Sequence, residues 1–450
     1  MEETSLRENL KKKGIFTFEK GNKVILFNPY NLKKVFTTKE NLEKDLEKNF
    51  SLIIKKYEIP KPVLSNIKVI TSTGCNFRCE YCLVYKNRKR VPSSKMSIEM
   101  AGKVIDFYND KIKNGVILFT GGEPLTNWQT VEYFLDNVDA KFIIQTNGSL
   151  INERIAKKLK EKNVLIVLSL DGDTKSKNSM RKLLNGEEAY ESILKGYNNA
   201  KKAGCTVGAS VVAGDYNVSS LYDMTKNLRN KLKVDSFGYN IPHFTKYNDS
   251  EVDIEKYTDE LIKIFYYAKK EKIYIDQIAR KLKPLIFETF RIMDCTAGGE
   301  QILIYPDGST TNCVNYPPFN NKSYNYDRWV KRTPIHRRYC KNCEAIGICG
   351  GGCLFDGIKR YKEGLDLRNC YFTKKVLEEF LWDMYDELEK CEFNYEKMIE
   401  AYAGVIGYNS AAGVSAGHET TNLSINELKR NIKIGSEWFL WLRKLGIGTT

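Results

Sequence analysis

Six short runs of apolar, β-branched residues constrain the fold of this chain more than any other feature. They recur between residues 66 and 245 and alternate with stretches whose apolar residues have helical spacing. In chain order the runs are NIKVITST, GVILFTG, KFIIQTNG, VLIVLSLDG, TVGASVVAG and SFGYNIPHF. Apolar strands separated by amphipathic helices predict βαβ units and a parallel sheet covered on both faces. The sequence therefore predicts an α/β fold, either a partial (β/α)6 barrel or a doubly wound sheet.

Residues suited to chemistry follow these runs at their carboxyl ends. Cys75 follows the first run, the turn Gly121-Gly122-Glu123-Pro124 the second, Asn147 the third and Asp171 the fourth. The carboxyl edge is where parallel α/β folds place their active sites. We therefore expect one site to be built from these loops.

The distribution of cysteines indicates metal or redox chemistry. The chain has twelve cysteines, and its charged N-terminus lacks the apolar segment of a secretory signal, so we expect a cytoplasmic protein without disulfides. No apolar run is long enough to span a bilayer, and no membrane partner is expected. Three cysteines lie between residues 75 and 82 and seven between 295 and 370. Cys205 and Cys391 stand alone and are expected to be small, buried apolar residues.

The formal net charge of +15 raises the question of an acidic partner. Lysines are spread along the whole chain, and only KNRKR, residues 86–90, forms a compact basic run. We favour a solvated loop there over a nucleic-acid patch, although an acidic peptide docking at this run would also fit. Nucleic acid is not an expected partner.

Cys75, Cys79 and Cys82 have the spacing Cys-x3-Cys-x2-Cys. A zinc site would need a fourth ligand, and the three histidines of the chain are all remote in sequence. An iron–sulfur cluster also commonly takes four thiolates. Three thiolates on one loop would leave one iron without a protein ligand and open to a small molecule.

This motif, with Tyr81 before its last cysteine and a strand before its first, resembles the signature of radical S-adenosylmethionine (SAM) enzymes. The resemblance implies a partial TIM-like barrel and a [4Fe–4S] cluster whose open iron binds the amino and carboxylate groups of SAM. In that family one electron from the cluster breaks the C5′–S bond, and the resulting 5′-deoxyadenosyl radical abstracts a hydrogen atom. An external one-electron donor, flavodoxin- or ferredoxin-like, is implied as a partner.

Further motifs resemble the parts of these enzymes that contact SAM. TGGEPL is similar to the family's glycine-rich turn, whose backbone and Glu123 would meet the methionine amino group. Ser169 and Arg181 are similar to residues that contact the ribose and the carboxylate. Asn147 and Asp171 would also suit loop-capping roles. The cofactor-binding residues implied in this way are Tyr81, Gly121, Gly122, Glu123, Pro124, Gln145, Asn147, Ser169, Asp171 and Arg181.

The seven cysteines between residues 295 and 370 form a second pattern. Taken alone, the four between 340 and 353 would suit a zinc site. The order and spacing of all seven, with Gly308, are similar to the SPASM domain, a radical SAM appendage that holds two auxiliary [4Fe–4S] clusters. The resemblance implies interleaved ligands, with Cys340, Cys343, Cys349 and Cys370 for one cluster and Cys295, Cys313 and Cys353 for the other.

Two roles are left open by the sequence. The cluster held by three cysteines would either take a fourth ligand from elsewhere or keep an iron open to substrate or water, and the spare thiols Cys205 and Cys391 have no motif position. No general base stands out. Asp215, Tyr239 and His243 all lie near predicted strand ends.

SPASM-type enzymes largely modify ribosomally made peptides and proteins, by cross-linking or by oxidising Cys or Ser to formylglycine. Formylglycine-forming sulfatase maturases carry an acidic base where this chain has Val314, and eight auxiliary cysteines against seven here. We therefore expect a peptide-cross-linking maturase whose auxiliary clusters accept the electron lost by the substrate radical. The alternatives are a formylglycine-generating maturase and a non-catalytic iron–sulfur electron carrier. An electron carrier would not explain the presence of the GGEP turn.

These motifs divide the chain into four predicted regions. Residues 1–62 form an N-terminal appendage with a hairpin and a helix, and residues 63–290 the barrel, in which 250–290 is expected to be a helical connector. Residues 291–392 form the SPASM domain with a closing helix. Residues 393–450 form an extension, expected to be a flexible linker and an amphipathic helix around Trp438 and Trp441.

Overall fold

The computed structural model describes residues 3–53, 63–82, 93–112, 115–243, 252–315, 331–361 and 365–407. The basic run 86–90 and most of the predicted extension, including Trp438 and Trp441, lie outside the described residues. Among the helices that are described, none is both long and apolar enough to cross a membrane.

The described elements follow the predicted alternation of strands and helices. The strands are β1 (Phe16–Lys20), β2 (Lys23–Phe27), β3 (Lys34–Thr38), β4 (Asn66–Ser72), β5 (Val116–Gly121), β6 (Lys141–Thr146), β7 (Leu165–Ser169), β8 (Val207–Val212), β9 (Ser236–Asn240), β10 (Tyr274–Ile275), β11 (Gln301–Ile304) and β12 (Thr310–Thr311). The helices are α1 (Glu3–Lys12), α2 (Leu42–Ile53), α3 (Ile98–Lys111), α4 (Trp128–Asn137), α5 (Glu153–Glu161), α6 (Tyr190–Lys202), α7 (Leu221–Leu232), α8 (Ile254–Glu271), α9 (Asp276–Phe287), α10 (Ile346–Cys349), α11 (Leu354–Tyr361), α12 (Leu367–Lys390) and α13 (Tyr395–Tyr402).

A nine-stranded sheet in the order β10-β9-β8-β7-β6-β5-β4-β11-β12 organises the barrel region. From β4 to β10 each strand runs parallel to its neighbour. The six predicted runs are β4 to β9, so the predicted α/β fold with a mostly parallel sheet is confirmed. The strands follow one another in chain order without the reversal of a doubly wound sheet, which is the arrangement of a partial TIM-like barrel.

The two faces of β4 carry different kinds of residue. Ile67 and Val69 belong to the large core that includes the surrounding helices, whereas Ile70 packs with Leu303 on the opposite face. Successive side chains of a strand point to opposite faces, so Lys68 shares the inner face with Ile70. This alternation directs a lysine into the interior of the barrel.

The cysteine-rich region contributes two strands to the same sheet. β11 runs parallel to β4, with Gln301 opposite Asn66 and Ile304 opposite Val69, and β12 returns antiparallel to β11. β4 leads directly into the loop that carries Cys75. The pairing therefore fixes the C-terminal cysteines relative to the first three.

The stretch 250–290 is a part of the barrel rather than the predicted connector. β10 extends the sheet beside β9, and α9 is buried along most of its length, including Arg280 and Lys281. On α8, Phe265 packs against Phe380 of α12 with ring centroids 4.9 Å apart. The stretch is largely helical, as expected, but it is packed into the fold, and even Lys281 is among the buried side chains.

The N-terminal region contains a three-stranded antiparallel sheet, β1-β2-β3, instead of the predicted hairpin. The additional strand is β3, which pairs with β2 along its full length. This sheet contacts the C-terminal helix α12, where Tyr385 Oη donates to the Thr37 carbonyl at 2.8 Å and Lys23 Nζ lies 2.9 Å from Asp386 Oδ1.

Candidate active site

The carboxyl ends of the parallel strands open into a cavity of about 460 Å³. Two of the predicted cysteine groups line it: Cys75, Cys79 and Cys82 from the loop after β4, and Cys295, Cys313 and Cys353 from the C-terminal region. Most of the residues implied as SAM contacts also line it, namely Tyr81, Gly121, Gly122, Glu123, Gln145, Asn147, Ser169 and Arg181. One cavity thus brings together residues from the carboxyl ends of six strands, β4 to β9, and from the cysteine-rich region.

The loop with the first three cysteines is held by backbone hydrogen bonds. The Arg78 N–H donates to Lys182 O at 2.8 Å, and the Glu80 N–H donates to Met180 O at 2.9 Å. Burial raises the pKa of Cys75 to about 12 and that of Cys79 to about 11. Ionising neighbouring buried thiols is costly without a positive partner. This donor set fits a metal centre, because metal binding stabilises the thiolate form.

The glycine turn after β5 lies against this loop. Gly121 has φ = +130°, and a Cβ on Gly122 would lie 2.1 Å from the Gly74 carbonyl oxygen. The Glu123 N–H donates to the same oxygen at 2.9 Å. A side chain on Gly122 would force the turn and the cysteine loop apart, which explains why this position requires glycine.

Glu123 is a buried carboxylate in the cavity wall. Its Oε1 accepts from Leu125 N at 3.1 Å and from Thr146 Oγ1 at 2.6 Å, and its Oε2 accepts from Asn147 N at 2.7 Å. Burial raises the pKa of Glu123 to about 7, although these donors act to lower it. An ammonium group in the cavity would favour the ionised form.

Tyr81 and Arg181 are positioned by Asp171, whose side chain is fully buried. Tyr81 Oη donates to Asp171 Oδ2 at 2.6 Å, and Arg181 Nη2 donates to Oδ1 at 2.8 Å. The Arg181 guanidinium also lies 5.4 Å from the centre of the Tyr81 ring. Tyr81 and Arg181 line the cavity, whereas Asp171 and Pro124 are not among the described residues that line it. Asp171 therefore orients the side chains of Tyr81 and Arg181, and its implied role as a cofactor contact remains a prediction.

Asn147 links the end of β6 to the cysteine loop, and its implied contact with SAM remains a prediction. It lines the cavity, its Nδ2 donates to Asn76 Oδ1 on the cysteine loop at 2.9 Å, and its Oδ1 accepts from Ser149 N at 3.0 Å. Gln145 also faces the cavity and accepts from Thr120 Oγ1 at 3.3 Å. These amides connect the ends of β5 and β6 to the cysteine loop.

Cys295, Cys313 and Cys353 stand together in the cavity wall. Burial, followed by the charges of Cys353 and Cys295, raises the pKa of the Cys313 thiol. Lys68 extends from β4 into the same wall. Burial lowers the pKa of its ammonium group, although the charges of Cys295 and Cys313 act to raise it. Sequence reasoning missed Lys68. The available signal was a lone lysine within an otherwise apolar strand.

The other four C-terminal cysteines form a separate group outside the cavity lining. A hydrogen bond with Cys349, then burial, then the charges of Cys349, Cys340 and Cys343 raise the pKa of Cys370. Lys281 Nζ donates to the Cys349 carbonyl at 2.8 Å. The grouping agrees with the interleaving implied by the resemblance to the SPASM domain, and the ligand assignment itself remains a prediction.

The two cysteines without a motif position lie away from these groups. Cys205 is buried, as predicted, and its thiol donates to the Ala156 carbonyl at 3.4 Å in the helical layer. Cys391 follows the end of α12 and is half-buried, so the expectation of full burial is wrong for this residue. Neither one lines the described cavity.

Of the three residues considered as bases, Tyr239 and His243 border the cavity. Asp215 is exposed and lies outside the described lining. The Tyr239 hydroxyl is hydrogen-bonded to Thr225 of α7, in the layer behind the sheet. His243 lines the cavity, and its Nδ1 lies 2.7 Å from Asp356 Oδ2.

Comparison with known proteins agrees with this site. The model of the radical SAM superfamily matches residues 69–228, which span the cysteine loop, the glycine turn and Arg181. These residues form a radical SAM domain. The chain is 26% identical over 377 residues to a radical SAM cyclopropyl synthase, TigE, of Paramaledivibacter caminithermalis, covering 73% of this chain and 75% of that protein.

A shorter sequence similarity and two similar folds were also found. A serine-type anaerobic sulfatase-maturating enzyme of Bacteroides thetaiotaomicron is 29% identical over 170 residues, 35% of this chain and 41% of that enzyme. The solved structure of anSMEcpe with bound AdoMet has a TM-score of 0.62 at 20% identity, covering 76% of this chain and 99% of that one. Streptococcus suis SuiB bound to its precursor peptide SuiA has a TM-score of 0.51 at 16% identity, covering 78% and 97%. These two structures show a shared fold.

Proposed function

We propose that this radical SAM enzyme modifies a peptide or protein by forming a carbon–carbon or other cross-link. The observation that carries the proposal is the single cavity in which the three-cysteine loop, the glycine turn and Arg181 share a wall with Cys295, Cys313 and Cys353. A substrate held in this chamber would lie between a site of radical formation and a second redox centre. An electron carrier would need no such chamber.

The residues around the first three cysteines fit a bound SAM. When bound, a [4Fe–4S] cluster at Cys75, Cys79 and Cys82 supplies an open iron for SAM and the electron that cleaves it. Glu123 would then pair with the ammonium group of SAM. Arg181 Nε is buried and, among the described residues, has no hydrogen-bond partner. A carboxylate in the cavity would satisfy this donor.

The C-terminal cysteines fit auxiliary iron–sulfur clusters. Soft thiolates grouped in threes and fours suit iron–sulfur centres, and such centres supply an electron acceptor for a substrate radical. The group lining the cavity is Cys295, Cys313 and Cys353, and the group behind it is Cys340, Cys343, Cys349 and Cys370. The chain would thereby offer an acceptor beside the substrate and a second one farther from it.

A peptide substrate and carbon–carbon bond formation are favoured by the relatives. The cyclopropyl synthase relative covers most of this chain, and two structures of the same fold hold peptides, SuiB with SuiA and anSMEcpe with the Cp18Cys peptide. The sulfatase-maturating relatives favour a second candidate, formylglycine formation. Val314 argues against it, because this exposed apolar side chain lines the cavity where an acidic base would be required.

The test begins with the anaerobically reconstituted full-length protein. Three four-iron clusters predict about twelve irons per chain, and the reduced protein should cleave SAM to 5′-deoxyadenosine. Replacing Cys75, Cys79 and Cys82 together by Ala should abolish cleavage and retain about eight irons. A protein that holds only zinc, or that cleaves no SAM, contradicts the proposal.

The reaction type is tested with peptides encoded beside this protein's reading frame and with a sulfatase peptide. A cross-linked product loses two hydrogen atoms and does not react with hydroxylamine, whereas formylglycine forms an oxime. Oxime formation from the sulfatase peptide would favour the second candidate.

A further inference from the structure

The cavity-lining group of C-terminal cysteines has three thiols for a centre that commonly takes four ligands. Cys205 and Cys391, the two thiols outside the motifs, do not line the described cavity. Any fourth protein ligand from the described residues must therefore be a different type of side chain. His243, which lies beside Cys353, has such a side chain.

His243, three residues beyond the end of β9, presents its ring beside Cys353. Its Nδ1 lies 3.8 Å from Cys353 Sγ, and its side chain lines the same cavity as Cys295 and Cys313. The His243 ring stands perpendicular to the Phe355 ring, with centroids 6.3 Å apart. The side chain is 41% exposed, so the imidazole is accessible from the cavity while one side of the ring is packed.

The two nitrogens of the His243 ring have different surroundings. Nδ1 lies 2.7 Å from Oδ2 of Asp356, a carboxylate whose side chain is 1% exposed. Within the part of the chain that the structure describes, Nε2 has no hydrogen-bond partner. A carboxylate on one ring nitrogen fixes the imidazole orientation and leaves the other nitrogen as a lone-pair donor, which is the usual arrangement of metal-bound histidine.

A single guanidinium connects this carboxylate to the backbone that carries the histidine. Arg368 Nη2 donates to Asp356 Oδ2 at 3.1 Å, and Arg368 Nη1 donates to the carbonyl of Pro242, the residue before His243, at 3.1 Å. Arg368 is itself paired with Asp366 at 2.7 Å. Side chains on α11 and α12 thus hold the histidine against Cys353.

We propose that Nε2 of His243 is the fourth protein ligand of the iron–sulfur centre held by Cys295, Cys313 and Cys353, with Asp356 as its positioning residue. The inference rests on the proposed function, which places a cluster at these cysteines. Imidazole ligation of iron–sulfur centres is chemically established, since histidines replace two cysteines in Rieske centres. The centre is then closed by protein ligands and takes no direct bond from the substrate.

The test is pulsed EPR on the reduced, reconstituted full-length protein without SAM, so that the nucleotide contributes no nitrogen. The chain has only three histidines, and selective labelling with ¹⁵N-histidine distinguishes their nitrogens from those of the backbone. The variants are His243→Gln and a matched control, His336→Gln, which changes an exposed histidine outside the cavity lining. His243→Cys tests replacement of the imidazole by a thiolate.

We expect a histidine nitrogen coupling in the wild-type protein that changes with the ¹⁵N label, persists in His336→Gln and is lost in His243→Gln. His243→Cys should lose the coupling but keep its iron against a chelator as long as the wild type does, whereas His243→Gln should release iron faster. A wild type without histidine coupling, or a coupling that survives in His243→Gln, overturns the inference. An open iron, or a histidine that only accepts a proton, would give the first of these results.

Failure of the proposed function has a different signature. If replacing Cys295, Cys313 and Cys353 together by Ala leaves the iron content unchanged, no cluster is bound there and the functional proposal fails at this site. If that variant loses about four irons but His243→Gln leaves the spectrum unaltered, the cluster assignment stands and only the histidine ligand is refuted.

Discussion

Gly122 lies so close to Gly74 that a Cβ on Gly122 would stand 2.1 Å from the Gly74 carbonyl oxygen. The contact joins the turn after β5 to the loop that carries Cys75. The Glu123 N–H donates to the same carbonyl at 2.9 Å. The glycine turn and the cysteine motif, far apart in the sequence, therefore form one continuous surface of the cavity.

Replacing Gly122 by Ala should separate these two loops. The clash is with backbone, and forced repacking costs about 1–3 kcal/mol. We therefore expect lower thermal stability and SAM binding that is weaker by up to about a hundredfold, because about 1.4 kcal/mol corresponds to tenfold. The control is Gly102→Ala in α3, where a Cβ would meet nothing closer than Tyr133 Oη at 3.9 Å. That change should stabilise the helix by up to about 1 kcal/mol. If calorimetry and SAM titration give the two variants the same thermal stability and SAM affinity, the contact between Gly122 and Gly74 does not hold the two loops together.

Replacing Asp171 by Asn should disorganise the cavity wall. Removing one partner of a buried ion pair costs about 3–5 kcal/mol, and Arg181 would lose its carboxylate. Tyr81→Phe removes only the 2.6 Å hydrogen bond to Asp171, a cost of about 1 kcal/mol. Chemical denaturation measures both. Asp173→Asn is the control and should cost less than Asp171→Asn, since its partner Lys177 is partly exposed to solvent; the reverse order would contradict the positioning role.

SAM affinity should depend on the ionisation of Glu123. Burial raises the pKa of this carboxyl to about 7, and the ammonium group of SAM favours the charged form. Affinity should therefore weaken as the pH falls from about 8 to about 6, because the free protein then carries a neutral carboxyl that must lose its proton on binding. Equilibrium dialysis at several pH values measures this dependence.

Glu123→Gln should bind SAM more weakly and without this pH dependence. Glu132→Gln is the matched control, because Glu132 pairs with Arg154 on the outer helices and lies outside the described cavity lining; it should keep the wild-type profile. If the SAM affinity of the wild-type protein does not change with pH, Glu123 does not pair with the SAM ammonium group.

Single alanine replacements should separate ligand cysteines from the others. Cys205→Ala and Cys391→Ala should retain the full iron content, because neither thiol lines the cavity or belongs to the second C-terminal group. Cys353→Ala should weaken or lose one cluster, a loss of up to about four irons. Iron analysis after anaerobic desalting provides the measurement. A marked loss of iron in Cys205→Ala would require a different ligand set.

The strands that carry this site, and the motifs at their ends, can be predicted from the sequence because their signals are local. The apolar runs of β4 to β9 carry their strand character within five to seven residues each, and the motifs at Cys75 and Gly121 stand directly at strand ends. Lys68 was missed because its inward direction depends on the pairing of β4 within the sheet. Local composition also predicted a connector over residues 250–290, because it does not show that α9 is buried against the rest of the fold.

Long-range contacts were beyond sequence reasoning for a different reason. His243 and Asp356 are separated by 113 residues and meet only because α11 packs beside the end of β9. The resemblance of the cysteine motifs to radical SAM and SPASM enzymes implied three clusters, but no sequence pattern indicated which other side chain lies beside Cys353. Such partners are determined by tertiary packing and not by a motif.

The most direct test of the central claim is pulsed EPR on the reduced, reconstituted protein with SAM carrying ¹⁵N in its amino group. A nitrogen bound to the iron at Cys75, Cys79 and Cys82 predicts a strong ¹⁵N coupling in the wild-type protein and none when these three cysteines are Ala. Absence of the coupling in the wild type, or its persistence in the triple variant, would contradict the claim that this loop presents an open iron to SAM.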